Sequence, residues 1–156
     1  ILYEEYLTKI TLEGIGSQKL LFPKVIHLLE NEVPFVREIQ SDLESIGFHF
    51  QIKDSNQLFI VSMPNNIPFE RINELFETLI DNLQSNKPND SYSHIDTVAK
   101  SMAKSMAIKN GVKLSNKEQE EVLNKLFLCK EPNYSPSGKK IFITITSDFI
   151  QEKFDS

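Results

Sequence analysis

The sequence predicts an α+β fold, and three observations carry that expectation. Helical and strand patterns follow one another in the order α-β-α-β-β-α-α-α-β-α. Two alternating runs, "FHFQI" and "LFIVSM", flank the polar residues "DSNQ" and read as a hairpin. Ile72, Leu75, Phe76, Leu79, Ile80 and Leu83 recur at helical spacing and form a clean core face.

The remaining elements follow in order. "ILYEEYLTKI" places Ile1, Leu2, Tyr6, Leu7 and Ile10 at roughly helical spacing, with Gly14 and Gly16 as its stop. "QKLLFPKVIHL" is rich in strand formers, and Pro23 confines part of it to an edge or a bend. One helix is predicted next, with Pro34 in its first turn, a stripe of Val36, Ile39, Leu43 and Ile46, and a stop at Gly47. "SNKPNDS" at 85–91 is the best linker. A long helix carrying Ile95, Val98, Met102 and Met106 then runs to Asn110-Gly111. Ser115 stands three residues before Glu118, a capping box ahead of Val122, Leu123, Leu126 and Phe127. The run "KIFITIT" predicts a strand with Ile141, Ile143 and Ile145 on one face, and "SDFIQEKF" a short closing helix.

The totals narrow the function classes. A chain of 156 residues fits one domain or two small lobes. A formal charge of −5 supplies no global attraction to nucleic acid, so DNA contact must be local or supplied by another domain. Cys129 is the one cysteine, which excludes an internal disulfide and suits a reducing cytoplasm. The apolar runs are too short for a membrane helix. Ile1 opens inside a helical pattern with no initiator Met, so the chain is expected to be a piece of a longer protein.

Read residue by residue, the chemistry is sparse. His27, His49 and His94 are scattered, without metal-ligand spacing. Cys129 follows a helix stripe and reads as a buried, inert thiol. Gly138-Lys139 lacks the upstream glycine and following hydroxyl of a phosphate loop. Lysines 100, 104, 109, 113 and 117 wrap around their helix and read as a solvated face.

The order of landmarks adds a resemblance. "ILYEEYL", "QKLLFPKVIHL", "LESIGFHF", "GVKLSNKEQEEVLNKLF", "PNYSPSGKKIFITI" and "IQEKF" come in the order found in the C-terminal domain of bacterial MutL mismatch-repair proteins, over essentially the whole chain. The resemblance implies a two-lobed fold, with a dimerisation lobe at 1–17 and 89–156 and an external, regulatory lobe at 18–88. It implies a homodimer that joins two ATPase arms into a DNA clamp, with no cofactor in this domain. DNA is then held weakly or through the ATPase domain. Further implied partners are the mismatch-recognition protein MutS, the sliding clamp and a helicase.

Many MutL proteins also nick DNA with a metal site. That site uses an acidic motif, a Cys in the long helix, and a Cys-Pro-His-Gly-Arg-Pro loop. By that resemblance Glu4 falls at the last Glu of the acidic motif, and Lys104 takes the helix Cys position. In "SPSGKK", Ser135 and Ser137 stand where Cys and His are expected, and only Pro136 and Gly138 match. Zn²⁺ prefers S and N donors, and an ammonium at a metal position repels the ion. The resemblance therefore implies a non-catalytic scaffold. The alternative is a nicking endonuclease with unorthodox ligands such as Glu4, His94 and Cys129.

Two further motifs transfer. Gln18, Leu21 and Pro23 match the Gln-x-x-Leu-x-Pro segment by which nuclease-type MutL proteins bind the sliding clamp. The competing, favoured reading is that Leu20, Leu21 and Phe22 fill a core strand. Dimer-interface candidates are the apolar face of the 95–110 helix together with Ile141, Ile143, Phe149, Ile150 and Phe154. For Ile141, Ile143 and Ile145, burial inside the same chain is at least as strong a reading.

Overall fold

A computed structural model describes residues 1–13, 15–54, 56–85 and 94–154. The chain divides into two compact units, Leu2–Val112 and Lys113–Ser156, and the fold is α+β. Gly14 and most of the expected linker at 85–91 lie outside the described residues.

The first unit begins with α1 (Leu2–Thr8), which continues as a wide π turn over Lys9–Glu13. The Thr11 hydroxyl donates back to the Leu7 carbonyl at 2.8 Å in that turn. Strand β1 (Ser17–His27) follows, then α2 (Val33–Glu38) and α3 (Gln40–Ser45). The one helix predicted here is thus two, separated at Ile39, whose φ of −98° and ψ of 11° are not helical. Each piece has six residues, too short to hold its direction by propensity. Burial decides instead, and Val36, Ile39, Leu43 and Ile46 all stay in the core across the break.

Gly47 ends α3 with a φ of +100°, and an added Cβ would lie 2.8 Å from the Ser17 Cβ. Glycine therefore lets the helix exit pass against the start of β1. Strands β2 (His49–Lys53) and β3 (Gln57–Pro64) form the predicted hairpin. The sheet is antiparallel in the order β1-β3-β2, leaving β1 at an edge as Pro23 requires.

Helix α4 (Ile72–Ser85) buries Ile72, Leu75, Phe76, Leu79 and Ile80. Phe76 meets Phe48 and Phe50 edge-to-face, at centroid distances of 5.5 and 6.5 Å. Helix α5 (His94–Met106) buries Val98, Ala99 and Met102 in the same core. It stops before the predicted Asn110-Gly111, where a separate turn holds Gly111 at a φ of +86°. Three polar links fix the helices. Tyr3 donates to Asp96 Oδ1 at 2.6 Å, and Asn82 Nδ2 donates to Ser101 Oγ at 2.8 Å. Arg71 Nη1 donates both to Glu74 and to the Ser105 carbonyl. One core thus joins α1, the sheet, α4 and α5, running through residues of both expected lobes.

The second unit holds α6 (Asn116–Phe127), a looped segment, and α7 (Ser147–Phe154). The capping box forms as predicted: the Ser115 amide donates to Glu118 Oε2 at 2.7 Å, and Ser115 Oγ accepts from the Glu118 amide. Those bonds from Ser115 hold the Glu118 carboxyl below its ordinary range. The predicted strand at 141–145 is not a strand. The bridge nearest to it pairs Tyr134 with Lys140, just before the segment, and the Ile141 amide donates to the Asn133 carbonyl at 2.9 Å. Alternation gives a segment two faces, but a strand also needs a neighbour to bond, and none of the described strands pairs with 141–145.

Phe76→Ala should lower stability by roughly 3–5 kcal/mol, because it opens a cavity under two other rings. Urea unfolding followed by circular dichroism measures it. A loss under about 1 kcal/mol would mean that the ring is not packed as described.

Candidate interaction surfaces

Strand β1 pairs with β3 through Ser17–Pro64, Gln18–Met63 and Lys19–Ser62, and resumes only at Lys24–Ile60. Between these points the chain bulges away from the ladder over Leu20–Pro23. Pro23 has no N–H to donate, so a gap in the pairing is where it fits at least cost. Ser62 Oγ donates to the Gln18 carbonyl at 3.0 Å and pins the start of the bulge. Leu20 turns back towards the core, half-buried.

Leu21 and Phe22 do not. They are 89% and 78% exposed, so the reading of these residues as core strand is corrected. The reason is local: the bulge removes them from the pleat whose alternation would have buried one of them. Gln18 and Pro23 are exposed as well, so Gln18, Leu21 and Pro23 stand together on solvent-facing backbone at a sheet edge.

In the second unit the "SPSGKK" segment is a closed turn. The Ser135 amide donates to the Lys139 carbonyl and the Gly138 amide to the Ser135 carbonyl, both at 2.8 Å. Ser135 Oγ accepts from the Lys139 amide at 3.1 Å and lies 3.0 Å from Ser137 Oγ. Gly138 sits at a φ of +75°, the left-handed conformation the turn requires. The two hydroxyls are therefore engaged in closing the turn. They offer neutral oxygen, where a zinc site would take thiolate or imidazole.

Glu4 and Lys104 lie in the first unit, on α1 and α5, with Lys104 exposed. His94 bonds Asp42 Oδ2 at 3.1 Å and lies 3.5 Å from Glu38 Oε1, both on other helices than Glu4. Cys129, in the second unit, is half-buried and donates to the Lys125 carbonyl at 3.4 Å. Among the described residues, no group of three or more His, Cys, Asp or Glu side chains is arranged to hold a metal ion.

The second unit also carries much uncovered apolar surface. Phe127 and Phe142 meet edge-to-face at 5.3 Å, yet neither α6 nor α7 buries a single residue fully. Ile141, Ile143, Ile145, Phe149, Ile150 and Phe154 are exposed, Ile143 by 68% and Phe154 by 86%. The apolar face of α5 differs, since Val98, Ala99 and Met102 are already used inside the first unit. Sequence reasoning missed the exposure of Phe22. The signal was Pro23 directly after it in an edge strand.

No helix among the described residues is long and apolar enough to cross a membrane. A family profile described as the MutL C terminal dimerisation domain matches residues 1–114. A DNA mismatch repair protein MutL from Flavobacterium johnsoniae is 41% identical over 154 residues, 99% of this chain and 24% of that protein. One from Flavobacterium psychrophilum is 39% identical over 154 residues, 99% of this chain and 25% of that protein. A third, from Bacteroides fragilis, is 29% identical over 159 residues, 99% of this chain and 25% of that protein. The chain thus spans about a quarter of the length of these curated relatives. On the profile match and these identities, the chain belongs to the MutL C-terminal dimerisation domain family of mismatch-repair proteins.

Proposed function

We propose that this domain is a non-catalytic scaffold that pairs two copies of a MutL protein and so joins two ATPase arms into a clamp on DNA. The observation that carries the reading is the exposed apolar set Ile141, Ile143, Phe149, Ile150 and Phe154 in a unit with no fully buried residue on either helix. Such surface is costly in water and is covered in an isologous dimer. The dimerisation role is assigned to 1–17 and 89–156, and partner docking to the external residues 18–88. MutS and a helicase belong to the same proposal as partners of the whole protein, working in the cytoplasm.

Two features support the finer parts. The closed turn with Ser135 and Ser137 occupied, and Lys104 on α5, support a domain that binds no catalytic metal and does not nick DNA. The bulge that presents Gln18, Leu21 and Pro23 supports docking to a sliding clamp. An extended peptide with a fixed proline offers its amide and apolar side chain to a groove at low ordering cost.

Replacing Phe149 and Ile150 together with Glu should convert dimer to monomer at micromolar concentration, weakening association about 100-fold or more by burying unpaired charge. Light scattering after size exclusion measures it, and an unaltered dimer removes these residues from the interface. Gln18→Ala with Leu21→Ala should weaken clamp binding about 10-fold or more in surface plasmon resonance and leave the melting temperature unchanged, since Leu21 packs on little. Equal binding by the variant would remove the motif. A full-length MutL carrying this domain should leave supercoiled plasmid intact with Mn²⁺, beside a nuclease-type MutL that nicks it. Nicking that Glu4→Gln abolishes would mean the domain is an enzyme after all.

A further inference from the structure

The outward face of the sheet has a composition that pairing and clamp docking leave unused. Strands β1, β2 and β3 carry not one Asp or Glu, in a chain of formal charge −5; His27 and Lys53 stand on the outward rows, while Lys19 and Lys24 are opposite the buried Ser62 and Ile60. Charge has been segregated by sign onto this element. The nearest acid along β2 is Asp54, in the turn beyond its end.

Register shows which side chains share the outer face. Phe59 is opposite Val25 on one side and Gln51 on the other, and Gln57 is opposite His27 and Lys53. Leu58, Ile60 and Phe50, which alternate with these, are buried, so the two rows look away from the core. Val25, His27, Gln51 and Lys53 are exposed, and Phe59 and Gln57 are half-buried. The Lys53 ammonium lies 5.0 Å from the centre of the Phe59 ring. The face therefore offers a ring at its middle with a flexible lysine cation lying over it, two primary amides and an imidazole.

That set matches a chemical class. A nucleobase that displaces the flexible lysine stacks on the aromatic face, the displaced ammonium meets the phosphate that accompanies the base, and amides bond base edges of any sequence. A duplex keeps its bases stacked inward, so only a single strand can lay a base on Phe59. An acidic peptide would draw Lys53 off the ring and leave the ring without a partner.

We propose that the outward face of this three-stranded sheet binds single-stranded DNA, with Phe59 as the stacking platform and Lys53 as a phosphate contact. The proposal stands apart from dimerisation, since both rows lie on the first unit and involve none of the residues assigned to the interface.

Fluorescence anisotropy of a labelled oligothymidine of about 20 nucleotides tests it on the intact chain, against a duplex of equal length and a polyglutamate competitor. The single strand should bind more tightly than the duplex, and more weakly as salt rises. Phe59→Ala should weaken binding about 10-fold. Gln51→Glu replaces an exposed side chain with a charge that repels phosphate, so it should weaken binding even if the Phe59 variant fails to fold. Absent binding at low salt, equal affinity for duplex, or indifference to both substitutions would overturn the proposal. Displacement by polyglutamate as readily as by oligothymidine would overturn it too, and would assign the face to an acidic protein.

Discussion

The first unit closes on the ring of Phe76. A helix 14 residues long would wander on a three-stranded sheet if only shapeless apolar contact held it. Edge-to-face contacts with Phe48 and Phe50 give that contact a direction, because the positive edge of one ring meets the negative face of another. Phe48 follows Gly47 directly, so the left-handed exit of α3 and the register of β2 are both fixed by the need to present that ring. Helix α5 then lays Val98, Ala99 and Met102 into the same core, and Arg71 ties the start of α4 to the end of α5. The sheet is thereby covered on one side only, and its other side is left facing water.

The edge of that sheet shows a second constraint working against the first. An edge strand exposes unpaired N–H and C=O groups and invites pairing with other chains. In β1 the bulge at Leu20–Pro23 interrupts the row, and proline removes a donor, so a flat edge is never presented. The same device lifts Leu21 and Phe22 out of the pleat. Two large apolar side chains in water are a poor choice for a strand that needs only protection, since Lys would protect the edge equally well. Under the clamp-docking proposal, these two side chains are what the bulge would offer a partner.

What the sequence showed plainly was what depends on local chemistry. The hairpin from 49 to 64, the helix bearing Phe76 and the Ser115–Glu118 capping box each follow from residues within one element, and each is present. The alternation at 141–145 misled because it records faces and says nothing of a bonding partner. The break at Ile39 was hidden because both sides of it keep the same apolar stripe, and periodicity cannot distinguish one helix from two that bury one face. Leu21 and Phe22 were misread because composition favours burial, while the proline beside them controls the backbone. At the candidate surfaces, residue identity was legible and exposure was not, since exposure depends on which neighbours the fold supplies.

In the loop at 133–141, shape and donor chemistry rest on different residues. Gly138 supplies the left-handed residue and Pro136 the restricted φ, and two backbone bonds, Ser135 to Lys139 and Gly138 to Ser135, close the turn alongside the hydroxyls. Serine is compatible with that closure, because its hydroxyl accepts the Lys139 amide and reaches Ser137. Once the hydroxyl is held in this way it is less available to a cation, and it was a weak ligand to begin with. Turn geometry and ligand chemistry are therefore separable in this loop, the first resting on Pro136 and Gly138 and the second on their two neighbours. A loop of matching shape is thus evidence about folding, and only the donor atoms on it speak to metal.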